Sequence, residues 1–197
     1  MTTLLPKIRS LKVWNRGGMR APNKPLLLLL ALGRYQSRGQ TEFGFQQIET
    51  ELRTLLREFG PCRKSYHPQY PFWRLQNDKI WNVAADEKLK TRQSNTDPPV
   101  TALRSSKATG SFTSPILKEL RDQPNLVRQA AKLILEMNFP YTIHEDIAVA
   151  VGLSLENPLA INVRKRRDPK FRKTVLRAYS YACAICSFDI RLDNVTL

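Results

Sequence analysis

Apolar positions in the first 60 residues follow the spacing of two α-helices. A run of leucines begins directly after Pro25, a residue that is tolerated in the first turn of a helix, and Gly39 is a natural stop. This pattern predicts a helix of about thirteen residues after Pro25. Over residues 45–59 apolar side chains recur at helical spacing, and the pattern ends at Gly60. A second, amphipathic helix is therefore predicted there.

Residues 71–83 contain two short runs rich in aromatic and β-branched side chains on either side of Asn77 and Asp78. Such runs around a turn-forming pair favour a β-hairpin. Two helices followed by a hairpin are the order of a winged-helix module, although many other α+β domains share this order. The predicted fold class is mainly α (α+β), with a winged-helix-like core of helix, helix and β-hairpin and a second helical sub-region.

Residues 91–113 lack an apolar period and are rich in Thr, Ser, Asn, Pro and small residues, which predicts a linker-like surface loop. Beyond this loop the pattern becomes helical. Helices are predicted over residues 114–121, 124–139 and 144–152, and a further helix after Pro169 runs into Cys183-Ala-Ile-Cys186. The chain is accordingly divided into residues 1–163 and a basic linker helix with its continuation at 164–197.

The chain is strongly basic, with 32 Lys and Arg against 17 Asp and Glu, a net charge of +15 and a pI near 10.1. Its 42% hydrophobic residues are enough for a packed core, which excludes a disordered basic tail. The excess charge lies in two blocks, +9 over residues 1–75 and +7 over residues 164–177. Charge of this density favours a polyanionic partner, above all nucleic acid. A solvated basic face and an anionic membrane surface are the alternatives.

Composition also bears on the compartment. The longest apolar run has seven residues, far fewer than the ~20 that a membrane-spanning helix needs. The first residues carry scattered charges and no signal-peptide cleavage pattern. Three cysteines do not make a disulfide framework, which favours a reducing compartment. We therefore expect a cytoplasmic protein that does not contact a membrane.

Residues 63–74 are the densest mixture of basic, aromatic and proline residues in the chain. The basic side chains suit phosphates, and the flat rings suit bases. Phe72 and Trp73 would point to opposite faces of a strand, so one of them is expected in the core. Together with the basic N-terminal segment, this region supplies the candidate DNA-binding residues Arg16, Asn23, Lys24, Arg63, Lys64, Ser65 and His67.

Motifs for catalysis or metal binding are sparse. Cys183 and Cys186 have the spacing of half a zinc site, but a tetrahedral site needs a second pair of ligands, and none follows. A redox Cys-x-x-Cys normally follows a strand, whereas this pair follows a predicted helix. No nucleophile elbow, phosphate-binding glycine loop or His-Glu-x-x-His motif is present. We expect no catalytic residue, complete metal site or cofactor within these residues.

The chain resembles the bacterial type IV restriction endonucleases that cut phosphorothioate-modified DNA. The resemblance rests on the strings RGGMRAPNKPLLLLLALGR, LLREFGP, YHPQYPFWRLQNDKIWNV and LILEMNFPYTIHEDIAVAVGL. It implies an N-terminal sulfur-binding domain over residues 1–163. The string FRKTVLRAYSYACAIC resembles the start of the family's HNH nuclease domain. Residues 164–197 are therefore expected to hold a basic linker helix and the truncated start of that domain.

The resemblance implies that the partner is double-stranded DNA carrying phosphorothioate, to which this domain targets an HNH restriction endonuclease. The sequence ends at Leu197, before any catalytic histidine of such a domain, so these residues are not expected to cleave DNA. For the full-length nuclease the resemblance implies a divalent metal. It leaves a structural zinc and a homodimer open.

The resemblance further implies a sulfur pocket formed by Arg20, Tyr70, Pro71 and Arg74. A non-bridging sulfur keeps the charge of the phosphate, but it is larger than oxygen and a poorer hydrogen-bond acceptor. An apolar pocket beside a cation would select it, because an oxygen there would lose its water without replacement. Arginine at position 74 is less apolar than such a contact requires. The alternative function is a winged-helix regulator that reads the base sequence and is indifferent to sulfur.

Overall fold

The computed structural model describes residues 3–16, 19–61, 63–86, 89, 97–156, 171–179, 191–192 and 195–196. The chain divides into two compact units, Met1–Glu156 and Asn157–Leu197. The predicted boundary at residue 163 and the Cys183 and Cys186 pair lie outside the described residues. In the part of the chain that is described, no helix has the length and apolar character that crossing a membrane requires.

The first unit is mainly helical and contains a small antiparallel sheet, as the fold class predicted. Its helices are α1 (Leu4–Arg9), α2 (Asn23–Arg38), α3 (Phe45–Phe59), α4 (Gln69–Arg74), α5 (Val100–Ser105), α6 (Ser114–Asp122), α7 (Pro124–Asn138) and α8 (His144–Ala150), with 3-10 turns at Leu75–Asp78 and Tyr141–Ile143. Its strands are β1 (Asn15–Arg16), β2 (Met19–Arg20), β3 (Glu42–Gly44), β4 (Trp81–Ala84) and β5 (Thr109–Phe112).

The second unit, described by itself, contains α9 (Phe171–Ala178) and the antiparallel pair β6 (Arg191–Leu192) and β7 (Val195–Thr196). α9 follows Pro169, as predicted. In the first unit, α2, α3, α6, α7 and α8 coincide with the predicted helices. α2 ends at Gly39, which takes a left-handed conformation (φ 63°) that glycine adopts without strain.

Six elements form the winged-helix-like core. Along the chain these elements come in the order α2, β3, α3, α4, β4 and β5, with α5 between the last two. β5 lies between the other two strands and is antiparallel to both, with Trp81 opposite Phe112 and Phe43 opposite Gly110. This connectivity is the winged-helix arrangement. The described residues between β4 and β5, which include α5, occupy the position of the wing.

Two local predictions are wrong. Residues 71–83 do not form a hairpin, because they contain most of α4, a 3-10 turn and a single strand, β4. β4 pairs instead with β5, which lies in the segment predicted as a linker. The described part of that segment, 97–113, holds both α5 and the central strand of the sheet. Pro71 lacks the N–H that a strand would donate, but it is compatible with the first turn of α4.

The leucine run of α2 lies at the centre of the hydrophobic core. All residues from Leu26 to Leu32 are buried, because α3, α4 and α7 pack around this helix. That surrounding explains why α2 is apolar on every side. Gly33 permits a close approach of the chain after α8, since a Cβ at this position would lie 2.0 Å from the carbonyl oxygen of Val151.

Glu119 of α6 ties the N-terminus of α1 to the domain. Its carboxylate accepts hydrogen bonds from the backbone N–H groups of Thr3 (2.8 and 2.9 Å) and Leu4 (3.1 Å) and from the Thr3 hydroxyl (2.6 Å). Burial opposes ionisation of this carboxyl, but the hydrogen bonds and the charge of Lys7 outweigh it and lower the pKa of Glu119 below its ordinary value. The carboxylate thus satisfies donors that the helix itself leaves unpaired.

We predict that Glu119 makes the stability of the domain depend on acid pH. Because its pKa is lower in the folded than in the unfolded chain, its contribution is complete above the unfolded value of about 4.3 and is lost as the pH falls through the folded value. Glu119→Gln should lower stability at pH 7 by about 1 kcal/mol and flatten this acid dependence. Urea unfolding across the acid range measures both effects. An unchanged acid dependence in the variant would contradict the assignment.

Candidate nucleic-acid interface

A cleft of about 650 Å³ opens in the first unit beside the starts of α2 and α4. Its walls come from the segment before β1, the first residues of α2, and the loop 61–68 with α4. The cleft therefore combines chain segments that are far apart in sequence. The lining residues are Lys12, Val13, Trp14, Ala21, Pro22, Asn23, Lys24, Leu56, Pro61, Arg63, Lys64, Ser65, Tyr66, His67, Tyr70, Pro71 and Arg74.

The packing of Phe72 positions α4 in this wall. Phe72 is fully buried, 5.0 Å from the ring of Phe45 and 6.0 Å from that of Trp81 between centroids, both in edge arrangements. Because this side of the helix is committed to the core, Tyr70 and Arg74 lie on the cleft side. One of Phe72 and Trp73 was expected in the core, and Phe72 is the buried one, although helix packing rather than strand alternation separates them.

Three side chains of this wall lie in contact and form what we term the His67–Tyr70–Arg74 stack. The rings of His67 and Tyr70 are 5.2 Å apart between centroids. The guanidinium carbon of Arg74 lies 4.9 Å from the Tyr70 ring centroid, within the range of a cation–π contact. Ser65 Oγ lies 2.9 Å from His67 Nε2, and this contact orients the His67 ring. The stack presents the flat sides of its three groups, among them the apolar ring of Tyr70, to the cleft.

Arg74 is also paired with Asp97, which precedes α5 in the wing connection. Its Nε lies 3.0 and 2.9 Å from the two carboxylate oxygens of Asp97, and its Nη2 donates to one of them. The side chain of Asp97 is only 3% exposed, whereas that of Arg74 is 48% exposed. The hydrogen bond to Asp97 raises the pKa of Arg74, although partial burial opposes the rise. The guanidinium is therefore charged, and the carboxylate of Asp97 both fixes its orientation and compensates its charge.

Asp78 fixes two lining residues of the cleft, Lys12 and Lys24, in a similar way. Its Oδ2 accepts a hydrogen bond from Lys24 Nζ at 2.5 Å, and its Oδ1 accepts one from the backbone N–H of Lys12 at 2.9 Å. Both side chains of the Lys24 and Asp78 pair are largely buried. Arg63 and Lys64, by contrast, are exposed, and within the described part of the chain neither forms an ion pair. Together with Lys12, which is also exposed and forms no ion pair in the described part of the chain, they are the cations most available to an anionic ligand.

The cleft brings together most of the residues predicted from the sequence, but two are not among its lining residues. Arg20 donates instead from Nε to Asn138 Oδ1 on α7 at 2.9 Å. Arg16 belongs to β1, and its side chain lies outside the described part of the structure. The predicted residues that do line the cleft are Asn23, Lys24, Arg63, Lys64, Ser65, His67, Tyr70, Pro71 and Arg74.

Sequence reasoning placed Arg16 of the N-terminal segment in the site but missed the three residues directly before β1. Lys12, Val13 and Trp14 line the cleft, and Trp14 is 59% exposed. An exposed tryptophan beside lysine and arginine resembles the aromatic and basic mixture of residues 63–74, so the same criterion applied to residues 12–16 would have found it. Among the described residues, no group of three or more His, Cys, Asp or Glu side chains is placed to hold a metal ion.

The family described as "ScoMcrA-like, DNA sulfur-binding domain" matches residues 1–156, which are also the residues of the first compact unit. The chain belongs to this family. No curated protein matches it. The sulfur-binding domain is therefore identified from its own sequence, and its boundaries coincide with those of the folded unit.

Solved structures share the fold of this sulfur-binding domain. The sulfur-binding domain of ScoMcrA complexed with phosphorothioated DNA has a TM-score of 0.66 and 21% identity, over 78% of this chain and 97% of that one. The sulfur-binding domain of SprMcrA complexed with phosphorothioated DNA has a TM-score of 0.61 and 20% identity, over 76% and 91%. The type IV phosphorothioation-dependent restriction endonuclease ScoMcrA matches with a TM-score of 0.63, but only 32% of its chain is covered.

We predict that Asp78 is structurally essential to the cleft. Asp78→Ala would leave Lys24 without its partner in buried surroundings, so the free energy of unfolding should fall by about 3 kcal/mol. Asp86→Ala is the matched control, because Asp86 is exposed and the change should cost less than about 0.5 kcal/mol. Urea unfolding measures both. Equal stability of the two variants would contradict the role of Asp78.

Proposed function

We propose that residues 1–156 recognise double-stranded DNA that carries phosphorothioate in its backbone and that the cleft is the site of recognition. The observation that carries this proposal is the combination, in one cleft, of the exposed cations Arg63 and Lys64 with an apolar wall of Tyr70 and Pro71. Membership of a DNA sulfur-binding family supports it. Structures of this fold in complex with phosphorothioated DNA support it further.

The chemistry of the two walls fits a phosphorothioate better than a phosphate. The cations attract both kinds of backbone, because each carries the same negative charge. The faces of Tyr70 and Pro71 offer no hydrogen-bond donors, so a phosphate oxygen turned toward them would lose its water without replacement. A sulfur atom loses less hydration there and gains dispersion contacts with the ring. Discrimination is therefore expected from the apolar wall and affinity from the cations.

The alternative, a winged-helix regulator that reads bases, has weaker support in the structure. α4 occupies the position of the recognition helix, but it has only six residues, and Gln69, Pro71 and Phe72 are buried. A helix of this length with half of its side chains in the domain leaves little surface for base edges in a major groove. Contacts to the DNA backbone suit the exposed cations of the cleft, Arg63 and Lys64, better.

We also propose that residues 157–197 contain the start of an HNH nuclease domain, as the resemblance implied. The second unit holds a helix and a short antiparallel pair, and Cys183 and Cys186 fall between them in sequence. A restriction endonuclease of known structure carries the same fold within a longer chain, which supports a targeting role. The divalent metal of that domain, a cytoplasmic location and a homodimer stay predictions for the full-length protein.

We predict that Tyr70→Ala or Pro71→Ala reduces discrimination in favour of the modified duplex. Tyr70→Ala removes apolar surface that sulfur exploits, and roughly 40–80 Å² of it is worth about 1–2 kcal/mol. Pro71 is buried, so Pro71→Ala removes less accessible surface, and its effect should lie at the lower end of this range. The ratio of the two affinities should fall about five- to thirtyfold. Titration of one duplex, synthesised with and without a single phosphorothioate of defined stereochemistry, measures this ratio. Lys64→Ala is the control and should weaken binding to both duplexes alike; unchanged ratios for Tyr70→Ala and Pro71→Ala would place the pocket elsewhere.

We predict steeply salt-dependent binding. Each cation that neutralises a phosphate releases counterions, which contributes about −0.9 to the slope of log K against log salt concentration. Replacing both Arg63 and Lys64 by alanine should therefore make the slope shallower by about two units. The double variant and the unaltered protein are compared over a series of salt concentrations. Equal slopes would show that these two residues do not contact the DNA backbone.

A further inference from the structure

The ion pair between Arg74 and Asp97 connects the wall of the cleft to the wing. Arg74 ends α4, and Asp97 lies in the connection between β4 and β5. Its buried carboxylate engages both Nε and Nη2, so one edge of the planar guanidinium is occupied. The same guanidinium lies over the Tyr70 ring. Two neighbours therefore fix its orientation, and one of them compensates its charge.

An unrestrained arginine at this place would work against sulfur recognition. A guanidinium donates strong, charge-assisted hydrogen bonds to phosphate oxygens. Sulfur is the poorer acceptor, so a free Arg74 would strengthen binding to an ordinary phosphate more than to a phosphorothioate. The structure instead directs the Nε and Nη2 donors of Arg74 to Asp97. Two of the five N–H donors are thereby occupied, and the guanidinium that lies beside Tyr70 is compensated.

We propose that Asp97 is a positioning residue for specificity: it withholds Arg74 from phosphate oxygens and thereby keeps the wall of the cleft selective for sulfur. The inference rests on the proposed function, because it assigns a role within the same site. It also accounts for an arginine at a position where a contact with sulfur calls for an apolar surface. The arginine serves there as a clamped, flat surface beside the Tyr70 ring.

The test uses the full chain of 197 residues and the matched pair of duplexes, and its central variant is Asp97→Asn. This change removes the compensating charge and weakens the hold on Arg74, because the amide keeps only one acceptor oxygen, while the size of the side chain is kept. Affinity for the unmodified duplex should rise about fivefold, an effect equivalent to ~1 kcal/mol, and the ratio of modified to unmodified affinity should fall by a similar factor. The salt dependence should become steeper by about one unit, because one more cation reaches the backbone.

A second variant, Arg74→Gln with Asp97→Asn, removes both charges of the ion pair and leaves neither partner uncompensated. If Arg74 is withheld from phosphates, this double variant should bind the unmodified duplex within about twofold of the unaltered protein. Arg63→Gln is the matched control, because Arg63 is an exposed arginine of the same cleft and its loss should weaken both duplexes several-fold. Circular dichroism melting curves verify that each variant is folded.

The outcomes separate this inference from the proposed function. If the unaltered protein does not prefer the modified duplex, the proposed function is wrong. If it does prefer it but Asp97→Asn leaves the ratio unchanged, only the role of Asp97 is overturned. A loss of unmodified binding in the double variant as large as in Arg63→Gln would also overturn it, because Arg74 would then be an ordinary phosphate ligand. Should Asp97→Asn not fold, the double variant alone decides.

Discussion

The arrangement of the cleft depends on the burial of Phe72 between Phe45 and Trp81. α4 has only six residues, so a helix of this length has little stability of its own and is held by what it packs against. Phe72 and Leu75 bind one side of this turn and its continuation to the core. Tyr70 and Arg74, on the other side of α4, then line the cleft. A shift of this anchor would move both the apolar wall and its cation.

The positive charge of the cleft is divided between two kinds of cation. Lys24 and Arg74 are tied to Asp78 and Asp97, whereas Arg63 and Lys64 are exposed on the loop before α4. The paired cations, Lys24 and Arg74, fix the geometry of the site, because carboxylates of the same domain accept hydrogen bonds from them. Exposed cations contribute attraction to a polyanion that is long in range and sensitive to salt. Affinity and selectivity can thus reside in different residues of one site.

The sequence was sufficient for the long helices, because α3 and α7 show an apolar period and α2 is marked by Pro25 at its start and Gly39 at its end. It failed at α4 and β5, because both are too short to show a period and are selected by packing. β5 even contains Gly110, an unfavourable residue in a strand, because a Cβ there would lie 2.2 Å from the Trp81 ring. Gly110, which contributes to the linker-like composition of this segment, thus leaves space for a tryptophan.

The candidate site was predictable to the extent that it lies in one stretch of sequence. The mixture of basic and aromatic side chains at residues 63–74 is evident from the sequence, and most of the site residues predicted there line the cleft. Asp78 and Asp97 were not recognisable, because their importance arises from partners 54 and 23 residues away. Pairing across such distances is a property of the tertiary structure alone.

The central claim is that a sulfur atom of the DNA backbone lies against Tyr70 and Pro71. A crystal structure of this chain bound to a duplex with one phosphorothioate of defined stereochemistry tests it most directly. We expect the sulfur within about 4 Å of the Tyr70 ring and of Pro71, with Arg63 or Lys64 on neighbouring phosphates. A sulfur bound on any other surface of the domain, with the cleft empty, would contradict the account.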